Sequence, residues 1–147
     1  MAINLDSYSM IFMDTAPFIY FFEDHPVYAD PLEMLFRQVE RGKQQIVTSL
    51  ITYMEIITKP LKTGDTRLME KYRAYFTFSK HLSLLPFTIQ CAEETARIRC
   101  AYNLKTPDAI QVATALSYGA DCIITNDDSW KKIKEIPVFY IDELFAP

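Results

Sequence analysis

Apolar residues in this chain fall into short continuous runs, separated by longer stretches with helical spacing. Met10–Met13, Ile46–Thr48, Leu82–Leu85, Cys122–Thr125 and Val138–Ile141 are short runs dominated by apolar residues. Such runs read as strands buried on both faces, the pattern of a parallel sheet. The intervening segments read as helices. Thr15 caps the first, with Pro17 in its first turn. A second spans about Asp30 to Arg41, with Leu32, Leu35, Phe36 and Val39 on one face and Gly42 at its end. Ser49 caps a third that carries Glu55 and stops near Lys59-Pro60. A long helix follows the Gly64-Asp65 turn from about Thr66 to Lys80, and another runs from Thr88 to about Tyr102. Thr106-Pro107-Asp108 marks a further helix start: cap, proline, then an acid in the first turn. Strands alternating with helices predict an α/β fold, a central parallel sheet of about five strands covered on both faces.

The 147 residues suit one domain, 1–147, with one core, and 50% hydrophobic with 23% charged residues are globular proportions. No apolar run reaches the roughly 20 residues of a membrane span. No basic stretch leads into an apolar one at the N-terminus, so no signal peptide is expected. Cys91, Cys100 and Cys122 form no zinc pattern and read as reduced, mostly buried thiols, which points to the cytoplasm.

Four acids interrupt otherwise apolar segments: Asp14 in IFMDTAPFIYFFE, Glu55 in TSLITYMEIITK, Asp108 in LKTPDAIQVATAL and Asp127 in ADCIITNDDSW. Carboxylates among apolar residues are costly unless their charge is compensated. In open parallel sheets ligands gather beyond the carboxyl ends of the strands, where Asp14 and Asp127 fall directly. Four converging carboxylates suit a hard divalent cation, Mg²⁺ or Mn²⁺, which takes oxygen ligands and keeps several waters. Such a cation supports hydrolysis at phosphorus. The net charge of −4, from 15 basic and 19 acidic residues, lacks the basic footprint of a nucleic-acid binder. Setting the four acids aside leaves 15 of each sign, so net charge does not exclude a phosphate-bearing substrate. Only His25 and His81 occur, neither with metal spacing, and no Gly-rich phosphate loop or Ser–His–Asp arrangement is apparent.

Each acid also has a structural reading. Asp14 reads equally as an N-cap, Asp108 as a complement to the helix dipole, Glu55 as an exposed helical residue on the side away from Leu50, Met54 and Ile57, and Asp127 as a turn former. Asp128 is an alternative to Asp127, although the spacing from Thr125 favours Asp127. Asp121 and Asp142 read as surface or turn residues. Phe18, Tyr20, Phe21, Phe22, Phe76 and Phe78 read as core, or as an interface surface. Lys59, Lys105, Lys131 and Lys132 flank the acids and read as phosphate contacts or as solvated surface. Gln111, three residues after Asp108, shares its helix face and either touches the site or meets solvent.

In order along the chain these segments resemble the PIN domain, most closely the VapC-like ribonucleases of toxin–antitoxin systems. The opening strand with Asp14-Thr15 resembles the first motif of that family. Thr48-Ser49 to Glu55 resembles the second, Thr106-Pro107-Asp108-Ala109-Ile110 the third, and Thr125-x-Asp127-x-x-Trp130 the fourth. Ala16-Pro17 departs from the polar residue that often follows the first motif. The resemblance implies an α/β/α sandwich and Mg²⁺- or Mn²⁺-dependent cleavage of single-stranded or structured RNA. Asp14, Glu55, Asp108 and Asp127 would be the catalytic, metal-binding acids, with Thr15 and Thr125 supporting them. It also implies a homodimer and a small antitoxin protein as partner. Two other readings stand beside it. One is a non-catalytic PIN-like module that binds RNA or protein. The other is a metal-dependent phosphatase, weakened because Ala16 occupies the second Asp of the Asp-x-Asp start of the haloacid dehalogenase class.

Overall fold

The computed structural model describes residues 4–42 and 44–145. Its strands are β1 (Met10–Met13), β2 (Gln45–Ser49), β3 (Leu82–Leu85), β4 (Cys122–Thr125) and β5 (Val138–Tyr140). The helices are α1 (Thr15–Phe22), α2 (Ala29–Arg41), α3 (Leu50–Thr63), α4 (Thr66–Phe78), α5 (Ile89–Tyr102), α6 (Thr106–Ser117) and α7 (Ile141–Phe145), with a 3₁₀ helix at Asp128–Lys132. The strands form one sheet in the order β3-β2-β1-β4-β5, every pair parallel. Alternation along the strands sends side chains into two apolar layers. Ile11 and Met13 join Phe18, Leu32, Phe36, Ile56 and Phe76 on one side, whereas Phe12 joins Ile98, Val112, Ile123 and Trp130 on the other. The result is the expected α/β/α sandwich. No helix among the described residues is long and apolar enough to cross a membrane.

Several element boundaries differ from the sequence reading. Thr15 is the first residue of α1 and not its cap; its hydroxyl donates to Thr52 Oγ1 at 3.2 Å. Lys105 takes the capping position of α6, so Thr106 is already helical and Pro107 sits where a missing N–H costs nothing. The third helix does not stop at Lys59-Pro60. It runs through the buried Pro60 to Thr63 and ends at Gly64, whose φ of 72° is the left-handed conformation glycine adopts without strain. Packing of the Thr52–Ile56–Pro60 stripe holds this last turn against the loss of one backbone hydrogen bond. That same stripe rotates the helix: of the expected Leu50, Met54 and Ile57 face only Ile57 packs against the core, and Glu55 is exposed as expected. Leu50 and Met54 are exposed (47% and 53%) while Thr52 is buried. Ser49 caps its helix as expected, Thr88 caps the helix it was expected to start, and Asp65, read only as a turn residue, caps α4, each side chain accepting from backbone N–H. Val138 to Tyr140 is strand, but Ile141 already begins α7. Cys91 and Cys122 are buried, Cys100 is exposed, and all three are free. Phe18, Phe22 and Phe76 are core, whereas Phe78 is 79% exposed.

Candidate active site

The carboxyl ends of β1 and β4 open onto a cleft of about 600 Å³ lined by Asp14, Thr15, Ala16, Ile19, Tyr20, Glu55, Asp108, Gln111, Asn126, Asp127 and Asp128. All four predicted acids therefore line one cleft, delivered by four segments far apart in sequence. Its lining contains no lysine or arginine.

Asp14 lies at the centre. It occupies the capping position of α1 yet makes no capping hydrogen bond. Its backbone N–H donates to Ile124 O at 2.9 Å, tying the end of β1 to β4. Its carboxylate instead accepts from two distant side chains, Thr125 Oγ1 on Oδ2 at 2.8 Å and Gln111 Nε2 on Oδ1 at 3.2 Å. Both donors are neutral, so they orient the charge without cancelling it. Burial pushes the Asp14 carboxyl up to about 6, and the charge of Glu55 pushes the same way. The backbone N–H of Thr15 and the Thr125 and Gln111 side chains pull it down.

The repulsion continues around the cleft. Glu55, exposed on α3, is raised by desolvation and by the charge of Asp108, with the Thr15 hydroxyl opposing. Asp108, in the first turn of α6, is raised by desolvation and by Asp127, with the Trp130 indole and Lys105 opposing. Asp127 Oδ1 accepts from Ser129 N at 2.9 Å and Ser129 Oγ at 2.7 Å, so it also caps the 3₁₀ helix. Its backbone N–H donates to Thr125 Oγ1 at 3.1 Å. Thr125 thus bridges Asp14 and the backbone of Asp127. Asp128 lines the same cleft, but its carbonyl accepts from Tyr140 Oη at 3.1 Å and it has no such tie to Asp14.

Gln111 is 2% exposed and links three motifs. Besides Asp14, its Nε2 donates to Thr52 Oγ1 at 2.7 Å, and its Oε1 accepts from Ser49 Oγ. Its place on the Asp108 face of α6 is the one sequence signal that pointed to it. Tyr20 and Asn126 also line the cleft, joined by an Asn126 Nδ2 to Tyr20 Oη hydrogen bond of 3.3 Å. Neither was singled out as a site residue. Of the flanking lysines, Lys59 pairs with Glu23 at 2.6 Å and Lys131 with Glu143. Asp121 is structural, its Oδ2 accepting the backbone N–H groups of Ser9 and Met10, each at 2.8 Å.

The donor set suits a hard divalent cation. It is all oxygen, its carboxylates repel one another, and no cationic side chain lines the cleft. Among the described residues, no three His, Cys, Asp or Glu side chains stand close enough together to hold a metal as a preformed cluster. An ion that keeps several of its waters needs only one or two direct carboxylates, so the open spacing and the donor chemistry are compatible.

A family model for the PIN domain matches residues 11–136. The chain belongs to the PIN domain family. The match spans all four acids. No curated protein matches the sequence. Among solved structures, the chain is similar to one in DNA-bound VapBC from Salmonella typhimurium (TM-score 0.73, 21% identity, 90% of this chain and 98% of that one). It is also similar to one in a toxin–antitoxin complex from Klebsiella pneumoniae (0.66, 26%, 89% and 97%). A third likeness is to Mycobacterium tuberculosis VapC20, a sarcin–ricin-loop-cleaving toxin (0.67, 15%, 86% and 98%). The structural neighbours of this PIN domain thus include VapC toxins and their complexes.

Proposed function

We propose that this PIN domain is a metal-dependent endoribonuclease whose Asp14, Glu55, Asp108 and Asp127 hold Mg²⁺ or Mn²⁺. The observation that carries this reading is the convergence of four carboxylates on one cleft with no basic residue in its lining, three of them, Asp14, Glu55 and Asp108, raised by desolvation and by the charge of a neighbouring acid. When bound there, the cation supplies the positive charge that activates water and neutralises charge developing on the phosphodiester. The chain's own residues do the positioning. Thr125 and Gln111 hold both oxygens of Asp14 in place, and the Thr15–Thr52 contact ties α1 to α3, the helix of Glu55. Asp127 is the fourth acid by its link to Thr125, with Asp128 beside it on the wall.

We further propose that it is the toxin of a toxin–antitoxin pair, held silent by a small antitoxin protein, and that it forms a homodimer. The VapC likenesses support the first. Exposed Leu50, Met54 and Leu61 on α3 (47%, 53% and 61%) support a protein contact on that side.

The open spacing of the acids favours a second reading, a PIN module that binds RNA or protein without cutting. Incubating purified protein with transfer and messenger RNA, with Mn²⁺ or with EDTA, separates the two. The nuclease cuts only with metal, and Asp108→Asn abolishes cutting while the circular dichroism spectrum is unchanged. Metal-independent cleavage, or full activity in purified Asp108→Asn, refutes the mechanism.

A further inference from the structure

The cleft poses a problem of affinity. Five of its lining residues are carboxylic acids and none is basic, and the chain carries a net charge of −4. Of the lysines flanking the acids, Lys59 and Lys131 are paired with Glu23 and Glu143, and Lys105, whose charge reaches Asp108, lies outside the lining. A polyanion held there gains little from protein cations, so attraction to its bases has to contribute. Tyr20 is the one aromatic residue in the lining.

Its ring is held from several sides. Tyr28 stacks with it at 5.2 Å between centroids and 27° between planes, and His25 packs against it at 4.7 Å. Asn126 Nδ2 donates to its hydroxyl at 3.3 Å. His25 is itself anchored: its Nδ1 accepts the N–H groups of Val27 and Tyr28 at 3.1 and 3.2 Å, and its own N–H donates to Tyr20 O at 2.9 Å. Asp24, with φ 53°, turns the chain back after α1 so that His25 reaches Tyr20. The His25 contact closes the end of α1. The second ring and the Asn126 bond go further and fix a half-buried tyrosine at the rim of an acidic cleft. An aromatic ring immobilised beforehand loses little freedom when a flat partner stacks on it.

We propose that Tyr20, backed by His25 and Tyr28, is the stacking platform for an unpaired RNA base next to the phosphodiester held at the acids. This rests on the nuclease reading. Stacking accepts any base, so the platform selects for single-stranded character, and the Asn126 amide beside it is placed to meet the edge of the stacked base.

The test measures binding of a fluorescein-labelled 12-nucleotide single-stranded RNA, and of the same backbone with its bases removed, to the full chain. Ca²⁺ replaces Mg²⁺ to suppress turnover. Wild type is expected to bind the intact RNA about tenfold or more tightly than the abasic one, the size expected of one stacked base. Tyr20→Leu is expected to abolish most of that ratio, and Tyr20→Trp to keep it. An unchanged ratio in folded Tyr20→Leu overturns the platform and leaves this aromatic wall to a protein partner. Should Tyr20→Leu fail to fold, photocrosslinking of 4-thiouridine RNA to wild type decides: crosslinks at Tyr20 support the platform, and crosslinks only elsewhere overturn it. If wild type cleaves RNA with Mn²⁺ but shows no preference for bases, the platform falls and the nuclease stands. If it neither binds nor cleaves RNA, both fall.

Discussion

Replacing Asp14 with Asn should make the metal-free protein more stable, although Asp14 is the most central of the four acids. Burial holds the folded-state carboxyl at about 6, against an ordinary value of 3.8. A raised acid keeps its proton in the folded chain over a range where the unfolded chain has lost it. Stability therefore falls as pH rises from about 4 through 6, and the loss is complete above about 7. Each pH unit between the two values corresponds to about 1.4 kcal/mol, so at pH 7.5 the ionised side chain costs up to about 3 kcal/mol. Solvent at the cleft mouth screens part of this, and about 1.5–3 kcal/mol is expected. An asparagine escapes the charge cost and keeps the geometry. Its Oδ1 can still accept from Gln111, and its Nδ2 can donate to Thr125 Oγ1 once that hydroxyl rotates. Urea or thermal unfolding in EDTA reads the difference. Asp14→Asn should melt about 5–10 °C above wild type at pH 7.5, given about 3–4 °C per kcal/mol for a domain of this size. At pH 4 the gain should shrink to about 0.5 kcal/mol. Millimolar Mn²⁺ should then raise the melting temperature of wild type and not of the variant. A variant less stable than wild type at pH 7.5, or a gain of equal size at pH 4, would refute the reasoning.

Other expectations test the surrounding structure. Gln111→Leu removes the common partner of Asp14, Thr52 and Ser49, and should cost about 1–3 kcal/mol in urea unfolding because buried hydroxyls lose their bonds. Trp130 is the sole tryptophan, fully buried, and its indole acts on Asp108. Mn²⁺ titration should quench its fluorescence with saturation, and Asp108→Asn should weaken that response; a linear, unsaturable response equal in both proteins would exclude metal binding beside it. Ile56→Ala, in the buried stripe that carries α3 past Pro60, should cost about 2–5 kcal/mol by chemical denaturation. A loss below 1 kcal/mol would mean that this stripe does not hold the helix in place.

The strands and their parallel pairing were legible in the sequence because runs such as Met10–Met13 and Cys122–Thr125 are apolar on both faces, which only a doubly covered sheet accommodates. The acids were legible for the complementary reason: a charge inside such a segment is an exception that demands a partner. Helix ends were read less well. Hydroxyl and proline signals at Thr15 and Thr106 mark a start to within one residue, whereas backbone geometry decides which residue is the cap. Two features were set only by tertiary structure. Helix α3 carries apolar residues on more than one side, so its buried stripe of Thr52, Ile56 and Pro60 emerged only when packing was decided. Asp14 could have capped its own helix, and its sequence neighbourhood is equally consistent with that. Contacts with Gln111 and Thr125, 97 and 111 residues away, instead took both oxygens. Local sequence specifies what a side chain can do with its neighbours. A hydrogen bond across such a separation exists only after the sheet has brought the ends of β1 and β4 and the face of α6 together, and Asp14, at the centre of the acidic cleft, is held by such bonds.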